Sequence, residues 1–568
     1  MQERYWENVR VLFIVTLLFG ALVGLGARLG HFHLANHSRI ERPYTQKLIG
    51  LRGRILDRNG ALMAASLPMW RFHVDPQAVE PKHNQRLIID TVSDMLDVPR
   101  DTVAGMFSRT NARNQELCFS ADPVAYHTLL RDPKHISGIG AREVAVRIYP
   151  QGHRMSHVVG FVNREGVGTA GVELAVDSRL KGVSGLRCGE VDAKGKVIGG
   201  RPGTHTPAIP GSDVYLTLDN NIQYGVEQAL KEVVETFQAV SAWSIVQEVK
   251  TGAILAMATC PDFHPENYTD VSMEVWRNHA VSVVYEPGSI MKAMTVAAAL
   301  NEKLVTPDTV MDAENGVFMY AGKPLHDGHL SGQISVATAL KKSSNIVCAK
   351  LGLQLSPQRL NAYLRGFGFG NTLDFDLPGE EEGILGNWKT WDKLKPTRVP
   401  IGQGVAVTGL QMVNAYSTIA NGGKLMRPYV IDRMVSSTGE VLHQRTPQVI
   451  GTPIRPEVAQ AVREMLIGVT EEGGTGKRAD VKGYTVAGKT GTAQHAIPGG
   501  YSSTDYYASF VGFVPARDPV FCVLVTVDRP RPQHTGGYVA APVFAKIAAV
   551  TARYLEVPPD VPEEIGSD

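Results

Sequence analysis

The stretch Glu286-Pro287-Gly288-Ser289-Ile290-Met291-Lys292, continued as AMTVAAAL to Leu300, decides how the rest of the chain is read. A proline close to the start and an alanine-rich continuation put Ser289 in the first turn of a helix. Ser289 and Lys292 then stand three apart on one helix face. A lysine held there takes the serine proton if burial or a neighbouring cation lowers its pKa, and the helix N-terminus favours developing negative charge. Alone the pattern is weak. S-x-x-K recurs by chance about twice in a chain of this length, and a capped core helix with a solvated lysine explains it equally well.

Two later motifs change the weighing. Ser343-Ser344-Asn345 follows a helical stretch from Ile334 to Lys342, and Lys489-Thr490-Gly491-Thr492 lies in the small-residue run AGKTGTA. S-x-x-K, then S-x-N, then K-T-G is the ordered motif set of penicillin-recognising serine acyltransferases. In that chemistry Ser343 relays a proton to a leaving amine and Asn345 hydrogen-bonds a substrate amide. Residues two apart do not share a helix face, so both are placed on a loop. Lys489 adds positive charge, Thr490 binds a terminal carboxylate, and Gly491 lets a substrate backbone lie along a strand edge. The backbone N–H groups of Ser289 and Thr492 form the oxyanion hole.

Two decoys are set aside. Lys250-Thr251-Gly252 repeats K-T-G, but it precedes Ser289 at an apparent hairpin turn. Gly483 to Thr490 satisfies G-x-x-x-x-G-K-[ST], a phosphate loop that must follow a buried strand and open a helix. Its flanks, the polar GGTGKRADVK and the Gly- and Pro-bearing GTAQHAIPGG, fit neither. His31, His33 and His37 cluster near the N-terminus, and His326 and His329 lack an obvious third ligand, so no metal site and no cofactor is expected. Tyr506 and Tyr507 offer an aromatic wall to a substrate, or core packing.

Outward from these motifs, Val214–Leu218 reads as a strand, Asp219 as a helix cap, and Ile222, Val226, Leu230 and Val233 as one helix face. Ala242–Val249 and Ala253–Ala258 read as a hairpin, and Ala508–Val514 with Val520–Val527 as another antiparallel pair. Between the pairs the patterns are mostly helical. A sheet built from both ends of a domain, with helices inserted between, is α+β. Upstream, Leu51 to about Pro210 is rich in short β-like pieces with a turn at Asn59-Gly60, and the Gly- and Pro-dense Gly195–Ser212 marks a boundary. The uncharged run Val11–Ala27, flanked by Trp6 and Arg10 on one side and Arg28 on the other, reads as a single membrane anchor rather than a cleaved signal peptide or a core helix. The expected division is 1–10 cytoplasmic tail, 11–27 anchor, 28–210 non-catalytic module, 211–556 catalytic domain and 557–568 flexible tail.

Composition bounds the rest. The 568 residues are 43% hydrophobic and 20% charged, with Lys+Arg 57 against Asp+Glu 56, so no global positive field favours nucleic acid. Five scattered cysteines without C-x-x-C signal neither a disulfide framework nor a zinc knuckle.

The chain resembles class B penicillin-binding proteins of the division type, FtsI-like peptidoglycan D,D-transpeptidases. Besides the three motifs, the resemblance rests on RGRILDRNG at 52–60, HVVGFVN at 157–163, GVELAVDSRLKG at 171–182, IGQG at 401–404 and AAPVFAKI at 540–547. It implies a serine β-lactamase-like (DD-peptidase-like) transpeptidase domain, a β-rich pedestal that dimerises or binds partners, and one transmembrane helix. By it, Ser289 attacks the penultimate D-Ala of a stem pentapeptide and an acceptor amine completes the crosslink. It further implies β-lactam inhibition, a SEDS-type glycan polymerase and other divisome partners. The expected location is the bacterial cytoplasmic (inner) membrane, single-pass, with the catalytic domain on the periplasmic or extracellular side. A D,D-carboxypeptidase, a β-lactamase and a non-catalytic penicillin-binding scaffold are the rival readings. The absence of appended repeats near the chain's end is read against a sporulation-type subclass.

Overall fold

The computed structural model describes residues 2–37, 42–79, 85–109, 111–130, 138–191, 197–199 and 205–561. Parts of two sequence expectations, residues 195–196 and 200–204 of the boundary stretch and 562–568 of the tail, lie outside the described residues.

The apolar N-terminal run belongs to a helix, Gln2–His37, that is 36 residues long. At ~1.5 Å per residue it measures about 54 Å, more than the ~30 Å hydrocarbon core of a bilayer. Its segment Arg4–Leu34 has the length and composition of a membrane span, with no part of its most apolar window buried. The helix is continuous through residues 2–10.

The chain divides into two units that do not follow chain order: residues 1–52, 68–145 and 181–211 form one, and 53–67, 146–180 and 212–568 the other. The smaller unit carries a four-stranded sheet in which Arg42–Leu48 pairs antiparallel with Gly185–Val191, and the latter also with Val197–Gly199 and His205–Thr206. Around Phe72 and Val74 it closes a core with Ile88, Val92, Val103, Phe107 and Leu129 from three helices, Gln85–Leu96, Arg100–Ser108 and Pro123–Leu130. The strand-rich reading of this region therefore gains three helices.

The larger unit takes in 53–67 and 146–180, which the sequence boundaries assign to the pedestal. A buried ion pair ties these two segments to each other, and Ile55 pairs with Val214 farther along the chain. Arg147 Nε meets Glu173 Oε1 at 2.7 Å with both side chains at most 4% exposed, while Arg147 Nη1 donates to Gly53 O at 2.7 Å. Ile55, Met63, Tyr149, Phe161 and Val172 also join the main hydrophobic core of this unit. Charges and apolar groups this far from water are held only among their partners. At the C-terminal end, 557–561 is docked rather than loose: Tyr484 Oη donates to Val557 O at 2.7 Å and Thr485 N to Asp560 Oδ1 at 2.7 Å.

The centre of the larger unit is a five-stranded antiparallel sheet of β1 (Ser241–Glu248), β2 (Ile254–Cys260), β3 (Ala487–Ile497), β4 (Gly500–Val514) and β5 (Phe521–Asp528) in the order β2-β1-β5-β4-β3. It is built from both ends of the domain, as the apolar runs predict. Both faces are covered, so the strands are apolar at successive positions rather than alternating. Ala242 and Val246 join one core with helices Asn220–Phe237 and Gly536–Tyr554, whereas Trp243 and Ile245 join another with the helices inserted between β2 and β3. Asp219 caps Asn220–Phe237, accepting from Asn221 N and Ile222 N. The strand before it, Asp213–Leu216, lies in a different sheet, between Ile55–Leu56 and Ile431–Val435.

Candidate active site

Strand β3 is one of the two edges of the central sheet, and the turn that carries Ser289 lies against it. Gly288 takes φ +57°, and a Cβ there would stand 3.2 Å from both Thr492 O and Ala493 Cβ. A Cβ at Gly491 would stand 3.1 Å from Pro287 O and from Ile290 Cγ2. At either position a side chain would press turn and strand apart by a few tenths of an ångström, and at Gly288 the positive φ adds backbone strain. The turn Gly288–Met291 is a 3-10 helix running into the α-helix Lys292–Asn301, whose residues 292–300 are all buried. Small alanines allow that helix to pass through the middle of the domain.

Lys292 has no solvent exposure. Its Nζ donates to Ser343 O at 2.6 Å and to Ser343 Oγ at 3.0 Å. Burial lowers its pKa from 10.5 to about 8. Ser343 holds φ +61° in the turn after the helix Val336–Lys341, a left-handed conformation uncommon outside glycine. Asn345 is not on a loop but opens the helix Asn345–Gly366, with Ser344 as its cap. Its Nδ2 donates to His326 O at 2.7 Å.

Asp327 escapes the sequence reading. Its carboxylate accepts from Ser344 Oγ at 2.6 Å, Asn345 N at 2.5 Å and Ile346 N at 3.0 Å, fixing the start of that helix. The clue is thin: one acidic residue before a helix whose first residues lie seventeen to nineteen positions downstream.

Lys489 is also without exposure and sits within β3, where its Nζ donates to Thr490 O at 3.2 Å. Burial, and then repulsion from Lys292, push its pKa well below the ordinary lysine value. The two lysines thus face each other in a dry site that does not favour two protonated ammonium groups. Thr490 Oγ1 shares a 2.8 Å hydrogen bond with Thr475 Oγ1, and Thr492 Oγ1 accepts from Gly536 N at 3.1 Å. Ser289 itself is half-buried at the surface of this arrangement.

The decoys fall elsewhere. Lys250-Thr251-Gly252 is the turn between β1 and β2, and Lys489 lies inside a strand rather than at a helix start, so the phosphate-loop geometry is not formed. Tyr507 stacks on His495 with ring centroids 4.0 Å apart and packs against the main core, and Tyr506 stacks on His534. Among the described residues no group of three or more His, Cys, Asp or Glu could hold a metal. All five cysteines are free thiols.

Residues 243–549 match the family model of the penicillin binding protein transpeptidase domain, and 47–216 that of the penicillin-binding protein dimerisation domain. The chain belongs to the penicillin-binding protein transpeptidase family. It is 30% identical to peptidoglycan D,D-transpeptidase FtsI of Escherichia coli K12, across 91% of this chain and 85% of that protein. It is 32% identical to Stage V sporulation protein D of Bacillus subtilis, across 97% and 87% respectively. Relatives thus include a sporulation protein, and the expectation set against that subclass finds no support. Among solved structures, penicillin binding protein 3 of Mycobacterium tuberculosis complexed with ampicillin superposes with a TM-score of 0.71 at 28% identity, covering 91% of this chain and 98% of that one.

Proposed function

We propose that this transpeptidase crosslinks peptidoglycan stem peptides through an acyl-enzyme on Ser289 during septal wall synthesis, and that β-lactams inhibit it by acylating the same hydroxyl. One observation carries the reading: a fully buried lysine, Lys292, lies three residues from Ser289 across the same short turn and is bonded to Ser343. A lysine with its pKa near 8 is neutral often enough to accept a proton.

In the first half-reaction Ser289 Oγ bonds to the penultimate D-Ala carbonyl carbon while its proton passes to Lys292. The oxyanion is held by the N–H groups of Ser289 and Thr492, where turn and strand meet. The C–N bond then breaks, and the proton travels by Lys292 and Ser343 to the leaving D-Ala amine. In the second half-reaction an acceptor amine attacks the acyl carbon, the ester C–O bond to Ser289 breaks, and the amine's proton passes along the same route to Ser289 Oγ, restoring the hydroxyl. Thr490 and Lys489 bind the terminal carboxylate, which draws a proton to Lys489 and leaves Lys292 neutral. Asn345 gives one of its two amide N–H groups to His326 O, which leaves the other N–H and the oxygen to meet a substrate amide. Gly491 keeps the edge of β3 open to the donor backbone.

In the same reading the N-terminal helix anchors the chain in the bacterial cytoplasmic membrane, with the catalytic unit on the outer side. The dimerisation region, 47–216, meets a SEDS-type glycan polymerase and other division proteins. A labelled penicillin should add one ring-opened drug mass to the peptide containing Ser289, and Ser289→Ala should take up none. Covalent label on Ser289→Ala would place the nucleophile elsewhere.

A further inference from the structure

Arg398 ends the short helix Lys395–Arg398, and its carbonyl accepts from Gln403 N at 3.0 Å. The turn this bond leads into is stitched to the nucleophile: Gly288 N donates to Gly402 O at 3.0 Å, and Gly404 N to Glu286 Oε1 at 2.8 Å. From that base the guanidinium reaches the hairpin strand Lys323–His326, where Nη2 donates to Pro324 O at 3.1 Å. Pro324 is two residues before the His326 carbonyl that holds Asn345. Tyr501, at the outer end of the β3–β4 hairpin, lies near Arg398 as a neutral phenol, since burial and the neighbouring Glu286 raise its pKa, and its hydroxyl donates to Glu286 Oε1 at 3.2 Å. Arg398 therefore stands between the wall that carries Asn345 and the hairpin that extends the substrate-facing edge.

Its charge is unanswered. Nη1 is buried and has no hydrogen-bond partner. No ion pair to Arg398 is formed among the described residues, and Glu286 Oε1 is already engaged by Gly404 and Tyr501. A guanidinium does not shed its proton to escape burial, and a buried donor left unpaired is costly. A planar carboxylate is the group that best matches it. The terminal carboxylate of the donor is already provided for at Lys489 and Thr490 in the reading above.

We propose that Arg398 is a specificity-determining residue that binds a second carboxylate of the donor peptide, carried on a residue upstream of its D-alanyl-D-alanine end. The assignment rests on acylation at Ser289, and its test separates the two. Benzylpenicillin and carbenicillin differ by one carboxylate on the acyl side chain, which stands in for that upstream group. Second-order acylation rates for both drugs are measured on the detergent-solubilised full chain, on Arg398→Gln and on Arg398→Lys. Arg398→Gln should slow carbenicillin about tenfold, the scale of one charge-assisted hydrogen bond, and benzylpenicillin by less than about twofold. Arg398→Lys should recover part of the carbenicillin rate. In the unaltered protein the carbenicillin-to-benzylpenicillin ratio should fall as salt rises, a readout that survives even if a variant misfolds. A ratio insensitive to both substitution and salt, with normal benzylpenicillin acylation, overturns the role of Arg398 alone. Failure of benzylpenicillin to acylate Ser289 in the unaltered protein overturns the site reading beneath it.

Discussion

Replacing Lys292 by methionine should abolish acylation without lowering stability at neutral pH. The side chain has no solvent exposure, and burial moves its pKa from 10.5 to about 8. The displacement corresponds to roughly 3 kcal/mol of penalty against folding wherever the unfolded lysine is fully charged, at ~1.4 kcal/mol per pKa unit. Opposing it are the hydrogen bonds from Nζ to Ser343 O and Oγ, whose loss leaves acceptors unpaired at a cost of about 1–3 kcal/mol. Methionine fills much of the same volume without a charge. The two contributions nearly cancel, and the balance leans toward a variant at least as stable as the parent. Removing Lys292 also lifts the repulsion that adds to burial in lowering the pKa of Lys489.

The pH dependence gives the sharper test. A lysine whose folded pKa lies below its unfolded value binds fewer protons when folded, so the parent's stability rises with pH between about 8 and 10.5. The penalty is fully present below about 8 and gone above 10.5. Any melting-temperature advantage of Lys292→Met should therefore be largest at pH 7 and shrink across that window. Thermal melts from pH 7 to 10.5, run alongside penicillin labelling, measure both effects. A variant several degrees less stable at pH 7, or an advantage unchanged through pH 10, would refute the view of Lys292 as a strained buried base. Retained labelling would refute its part in proton transfer. In the parent, acylation should climb tenfold per pH unit below about 8 and then level, since the neutral fraction of a group with that pKa is about a tenth at pH 7.

Gly288→Ala should slow acylation by at least about tenfold. It places a Cβ at φ +57° against Thr492 O and Ala493 Cβ, costing about 1–2 kcal/mol and moving the nucleophile turn off the strand; unaltered labelling kinetics would count against that packing. Asp327→Asn keeps one acceptor oxygen for three donors and gives up a negative charge at a helix N-terminus. Its melting temperature should drop, in line with ~1 kcal/mol for a lost cap, and labelling should weaken with it as Asn345 loses its anchor. A normal melt with normal labelling would show that Asp327 anchors nothing the reaction needs.

How much of this was legible in the sequence depends on the distance over which each device acts. The Ser289 turn, the Asp219 cap and the two antiparallel pairs are set by neighbours a few residues away, and their residue patterns show it. The noncontiguous larger unit is not, because what draws 53–67 and 146–180 into it is contact with residues far along the chain: Ile55 pairs with Val214, Asn220 N donates to Asp57 Oδ2, and Tyr149 N donates to Glu266 Oε1. Nothing in the local pattern marks those partners. Asp327 and Arg398 are invisible for the same reason: each acts on residues far away in sequence through one or two atoms. The three helices around Phe72 and Val74 give only one or two fully buried side chains apiece to that core, a signal that short strands nearby readily obscure.

The same distinction explains why the site is assembled as it is. Ser289, Ser343 and Lys489 come from segments separated by tens to hundreds of residues, so no local preference aligns them. Each is set by its own fixture: a glycine turn against a strand, a left-handed serine ahead of a capped helix, and a lysine inside a buried edge strand. Every fixture is locally unfavourable, whether by backbone conformation or by a desolvated charge. Such features persist only where the surroundings over-determine them. Here the surroundings are helix Lys292–Asn301, buried along nearly its whole length, and a central sheet covered on both faces. A core that rigid keeps both lysines out of water, and in the proposed mechanism the lowered pKa that follows is what lets Lys292 act as a base without help from histidine.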